Sequence, residues 1–270
     1  MIMHFLSLVQ TVFIPGYIFC RLIFTNLIFK ESIHYIVALS LILNWTLGFY
    51  LVLFDLFTKD IICILIFFEI LMILYLNRSF SRKKIEKVNL EAKNKYSFYK
   101  LISFIVTIIQ FLIVLIEYDG VLDGGDALIS WNYWALSWSA NQIPHAYHYP
   151  QLLPVNFAYT YVLTGSELQF VPSIVSLILM PLSNYALYIT GEKLKSNYLH
   201  ATNFALFLGY MIFLFYGTFG RYPIGLVDLP LAAMGIIGIC AFITSIKDNA
   251  IISGQTDKMI ATASIIIAPE

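Results

Sequence analysis

Long apolar runs separated by short polar breaks dominate this chain. Runs near residues 3 to 25, 34 to 56, 60 to 77, 98 to 117, 168 to 190, 199 to 218 and 230 to 246 reach or approach the roughly 20 residues a helix needs to cross a bilayer. They predict seven membrane helices. An eighth apolar segment begins near residue 259 and is too short to span before the chain ends at Glu270, so either the chain stops partway through a helix or its last segment docks at the interface. The pattern predicts an all-α fold, a polytopic bundle of about seven or eight spans.

One long interruption stands out, from about residue 118 to 167. It holds three of the four tryptophans. Leu128, Trp131, Trp134 or Ala135, and Trp138 recur at the three- and four-residue steps of one helical face, which predicts a short amphipathic helix lying in the membrane surface, where aromatic rings favour the interface.

Composition agrees with the pattern. The chain is 60% hydrophobic and 12% charged, with a mean hydropathy of +0.80, well above the roughly 45–50% apolar content of soluble domains. Its net charge is +0, so no broad basic field exists to bind nucleic acid. The basic residues are clustered instead, most densely at Arg78, Arg82, Lys83, Lys84, Lys87, Lys93, Lys95 and Lys100. Placing that run in the cytoplasm and alternating along the spans puts fourteen Lys and Arg inside and two, Lys59 and Arg221, outside. By the positive-inside rule the insert then lies on the outer, periplasmic or luminal, face. Cys20, Cys63 and Cys240 sit in apolar runs without metal or disulfide spacing and read as small buried hydrophobes. The N-terminus has no basic leader and no small-residue cleavage site, so the first segment reads as a retained helix.

The candidate chemistry is concentrated in the outer loops. Asp126 follows Gly124-Gly125 at a predicted helix start; it either caps the free N–H groups of the first turn or serves as a carboxylate that accepts a proton from an attacking hydroxyl. His145 and His148, between Pro144 and Pro150, cap a rigid turn, contact a phosphate or sugar, or bind metal. Arg221 and Asp228 share the second outer loop, as a snorkelling cation and a helix cap or as a phosphate-neutralising cation beside a second acid. Glu69 lies inside the third apolar run, where an acid is expected to face the bundle interior, pairing with a polar group on a neighbouring helix in preference to serving a proton relay, since no second intramembrane acid or His lines up with it.

Asp126-Ala127, Ser130-Trp131-Asn132, Trp134-Ala135, His148-Tyr149-Pro150 and Leu153-Pro154, followed by Val227-Asp228-Leu229-Pro230-Leu231-Ala232, together resemble the GT-C superfamily of polyprenyl-phosphate-sugar-dependent membrane glycosyltransferases, especially bacterial relatives of the dolichyl-phosphate-mannose protein mannosyltransferases. The likeness covers about residues 98 to 246. It implies three helices and a basic cytoplasmic loop over 1–97 and a partial catalytic module over 98–270, incomplete at its C-terminus, with the catalytic loop at 118–167. It implies an outer-face active site in a bacterial inner membrane, where a sugar moves from a polyprenyl-phosphate donor to a glycan, lipid or protein acceptor. Asp126 matches the family's loop acid and Asp228 a second acidic position.

In such a site Asp126 would orient and deprotonate the acceptor, and Arg221, with His145 or His148, would stabilise charge on the leaving phosphate. Trp131, Trp134 and Tyr149 would stack on sugar faces or hold the prenyl chain. A divalent cation between Asp126 and Asp228 is compatible with this scheme but not required by it. Two other readings stay open: a transporter or lipid-linked-sugar flippase using Glu69 and helices broken near Pro172 and Pro181, and a non-catalytic truncated paralogue.

Overall fold

A computed structural model describes residues 2–23, 29–80, 98–118, 120–122, 127–145, 149, 151–217 and 228–253. Among these residues the protein is a helical bundle without strands. The first predicted span is a pair of helices, α1 (Ile2–Val12) and α2 (Ile14–Ile23), on one continuous path. Phe13 joins them, donating to the Val9 carbonyl at 3.0 Å and accepting from the Tyr17 N–H at 2.9 Å. Then come α3 (Phe29–Leu53), α4 (Lys59–Phe80) and α5 (Phe98–Glu117), the insert, and α8 (Phe170–Leu194), α9 (Asn197–Gly217) and α10 (Asp228–Ser253); α6 (Tyr133–Ser139) and α7 (Leu152–Thr164) belong to the insert.

Six crossings among the described residues are long and apolar enough for a bilayer: Ile2–Ile23, Glu31–Leu53, Lys59–Arg78, Phe98–Ile116, Phe170–Leu194 and Leu229–Ile246. This is a multi-pass helical membrane protein. The predicted run at 199 to 218 folds as α9, which packs against α5 and α8; Asn203 pins it by donating to the Ser103 carbonyl at 3.2 Å, Ser103 Oγ at 2.7 Å and Thr107 Oγ1 at 3.1 Å. The segment after residue 253 and the basic run at 81–97 lie outside the described residues.

α8 is the central helix, with 78% of its spanning window buried against 17% for α4 at the rim. It runs unbroken through Pro172 and Pro181, so the broken helices expected there are not found. Pro172 falls in the first turn, where no donor is needed, and Pro181 removes one hydrogen bond inside a helix that tight packing holds together.

The bundle has two chemically different ends. α3, α5 and α9 begin and α8 finishes at one of them. There Lys193 pairs with Glu31 at 3.1 Å, Lys100 pairs with Glu192, and His200 Nε2 lies 3.4 Å from the same Glu192 carboxyl. The insert occupies the opposite end, which also receives the end of α9 and the start of α10.

Candidate functional site

The insert is more deeply built into the bundle than its sequence suggests. It was expected as an outer loop with one surface helix, yet α7 is a second helix whose ten buried residues include Leu153, Val155, Asn156, Phe157, Tyr159 and Tyr161. Thirteen residues rise only about 20 Å, so α7 enters the bundle without crossing it. It packs on α1, α3 and α8. Asn156 fastens it by donating Nδ2 to the Leu41 carbonyl at 2.9 Å and to the Leu152 carbonyl at 2.7 Å. Gly165 ends it with φ 64°, the left-handed conformation that costs a glycine least.

A π-helical turn (Ala127–Asn132) leads into α6. The amphipathic face predicted from the tryptophan spacing exists, but its partner differs from expectation. Ala127, Trp131, Ala135 and Trp138 are buried against protein, chiefly α7, instead of facing headgroups, while Leu128 and Ile129 remain exposed. Sequence spacing defines an apolar face; lipid and a protein groove satisfy it equally.

Three links hold the insert in place. Trp138 Nε1 donates to Gln151 Oε1 at 2.8 Å, and Gln151 Nε2 donates to the Tyr149 carbonyl at 3.2 Å. The Tyr161 hydroxyl donates to Asn132 Oδ1 at 2.5 Å. Burial, with Glu167 nearby, pushes the Tyr161 phenol well above its ordinary range, so the hydroxyl keeps the proton this bond requires. At the rim, the Leu122 N–H donates to Gln169 Oε1 at 2.9 Å and the Phe57 N–H to Asn141 Oδ1 at 3.0 Å. Trp138→Phe is expected to lower stability by about 2 kcal/mol, from the lost hydrogen bond and the space left by the indole. Melting in detergent checks this; an unchanged midpoint would show that the Trp138–Gln151 bond does not hold the insert.

These links build an aromatic cluster. Trp131 and Trp134 meet edge to face with centroids 4.8 Å apart, and Trp134 stacks on Tyr149 at 5.6 Å with an interplanar angle of 28°. Trp131 is buried in the wall, and its Nε1 has no hydrogen-bond partner among the described residues. Trp134 is half-buried and Tyr149 exposed, so these two present the accessible aromatic surface. Such a shelf suits an apolar sugar face or a prenyl chain.

The other candidates are placed less fully. His145 is exposed at the end of the loop after α6. Asp228 is the first residue of α10, at the insert end, with Pro230 in the first turn. Asp126, His148 and Arg221 lie outside the described residues; Asp126 immediately precedes the π-helical turn. No group of three or more His, Cys, Asp or Glu side chains among the described residues is arranged to hold a metal.

Glu69 lies beside Gln10 of α1, a polar group on a neighbouring helix, and its buried Oε2 has no hydrogen-bond partner among the described residues. Sequence reading missed how many polar groups share the interior. His34, Asn44, Asn156, Thr160, Ser176 and Asn184 are all buried. Compared with known proteins, the chain matches no protein-family model, no curated protein and no solved structure.

Proposed function

We propose that the protein is a membrane glycosyltransferase that moves a sugar from a polyprenyl-phosphate carrier to an acceptor at the insert end of the bundle. In this reading the basic end faces the cytoplasm and the insert end the outer side of a bacterial inner membrane. The observation that carries it is the Trp134–Tyr149 shelf, half-open to its surroundings and fixed from behind by α7. It sits at the same end as the start of α10, where Asp228 stands.

The chemistry asks for little beyond placement, because a sugar on a phosphate carrier is already activated. The shelf holds the sugar or the first prenyl units. Asp126, directly before the π-helical turn, accepts the acceptor's hydroxyl proton as the new glycosidic bond forms and the carrier phosphate leaves. Arg221, with His145 or His148, offsets the charge gathering on that phosphate. Asp228, the first residue of α10, is the second acid at this end of the bundle.

The test is transfer of radiolabelled sugar from a panel of polyprenyl-phosphate donors in membranes containing the expressed chain. Labelled product above the level of control membranes supports the reading. Absence of product with every donor, in membranes where the chain is inserted and folded, rejects it.

A flippase or transporter of lipid-linked sugar is the second reading. It gains from the buried neutral polar groups on α3, α7 and α8, which can line a path for polar cargo. Movement of a labelled carrier lipid between leaflets, without sugar transfer, would favour it.

A further inference from the structure

The middle of the first crossing contains a proline, and its effects reach across three helices. Pro15 has no N–H, so the Thr11 carbonyl loses its ordinary helical donor. Asn44 of α3 replaces it, donating Nδ2 to the Thr11 carbonyl at 3.2 Å and to the Gln10 carbonyl at 3.1 Å. Only the nitrogen of an amide can donate to two carbonyls, so the orientation of the Asn44 amide is determined by its bonds. Its Oδ1 therefore accepts, and it does so from Gln10 Nε2 at 3.2 Å. The Gln10 amide is fixed in turn.

Glu69 of α4 lies beside the Gln10 side chain. What remains is a pair of unsatisfied acceptors. Gln10 Oε1 and Glu69 Oε2 are both buried and both without a partner. Two acceptors cannot bond each other, but one proton placed on the carboxyl makes it a donor. An acid and an amide then close a two-bond ring, the amide N–H to one carboxyl oxygen and the carboxyl O–H to the amide oxygen.

No cation competes for that role. None of the ion pairs among the described residues includes Glu69, and an unpaired carboxylate at this depth is strongly disfavoured. α1 offers neutral Gln10 and Thr11. From α7 comes Tyr159, buried near Glu69 with its hydroxyl unpartnered among the described residues. α2 brings Cys20, Tyr17 and Arg21, but the Tyr17 hydroxyl, which accepts from Arg21, bonds Asn77. Asn77 is two turns beyond Glu69, about 12 Å along α4. The charges of α4 itself, Lys59, Asp60 and Arg78, are at its ends.

We infer that Glu69, with Gln10, Asn44 and Tyr159 around it, forms a proton-binding site inside the bundle, whose ligand is a single proton shared between the Glu69 carboxyl and the Gln10 amide. This site is separate from the glycosyltransferase reading and does not depend on it.

A lipid-soluble carbodiimide tests the inference, because it adds to protonated carboxyls. At neutral pH an ordinary exposed carboxyl is protonated to about one part in a thousand. In lipid-embedded wild-type protein, peptide mass spectrometry is expected to find Glu69 labelled on the order of a hundred-fold faster than a soluble carboxyl standard at neutral pH, with the rate falling as the pH rises. Glu69→Gln is expected to abolish the label and keep the melting temperature, since an amide completes the same ring; Glu69→Ala is expected to melt lower. Folded wild-type protein that stays unlabelled from about pH 6 upward overturns the inference. So does protection by sodium or potassium at fixed pH, which would make the site one for a monovalent metal ion.

Discussion

Replacing Gly16 by alanine is expected to cost about 3 kcal/mol of stability. A Cβ at this position would overlap the Ile36 carbonyl oxygen and lie 2.6 Å from Ser40 Oγ and 2.7 Å from the Ser40 nitrogen. Two of those three atoms are backbone, so relief requires α2 and α3 to separate. Separation breaks the bond from the Gly16 N–H to Ser40 Oγ, now 2.9 Å, and strains the Asn44 bonds one turn away. One of those bonds holds the Thr11 carbonyl, which Pro15, having no N–H, leaves open, so a packing fault becomes a hydrogen-bonding fault in hydrocarbon. Gly209→Ala is the control, because its added Cβ meets nothing within 4 Å and a helical alanine is worth about 1 kcal/mol over glycine. Thermal unfolding in detergent or nanodiscs should separate the two variants clearly. Equal melting would show that α2 and α3 do not meet at Gly16.

The spans were legible because an apolar run of about 20 residues has few alternatives to a membrane helix. α7 was not. Its 13 residues fall short of a span, and Asn156 and Thr160 interrupt it, so the stretch blends into the polar insert. Its turn-forming Gly165 and the dense Leu, Val, Phe and Tyr between were the available sign. The tryptophan face was visible as a face, but its partner was not, because three- and four-residue spacing records which residues seek an apolar surface and not whether lipid or protein supplies it. Glu69 shows the same limit. Its burial at mid-span demands a partner, but Gln10 stands about 60 positions away, and only the folded chain reveals that Pro15 and Asn44 have already fixed how that amide is turned. Of the candidate site, the structure brings Trp131, Trp134 and Tyr149 together around a common point. That grouping depends on Gln151 and Tyr161, two residues whose sequence context marks neither.

Asp126→Asn is expected to reduce sugar transfer by about a hundred-fold or more without altering membrane insertion or melting. Asparagine has nearly the shape of aspartate and remains a good helix cap, so a purely structural Asp126 would tolerate the change with a loss of a few tenths of a kcal/mol. A base would not tolerate it, because the amide cannot take the acceptor's proton as the glycosidic bond forms. Trp134→Ala provides the contrast. Removing half of the stacked shelf weakens the hold on the sugar or carrier, so its effect should fall on the donor concentration needed for half-maximal rate more than on the maximal rate. Measured with one donor, the two variants separate proton transfer from positioning. Wild-type turnover in Asp126→Asn would remove the base from the mechanism. An unaltered donor dependence in Trp134→Ala would detach the aromatic shelf from the reaction, and with it the observation on which the glycosyltransferase reading rests.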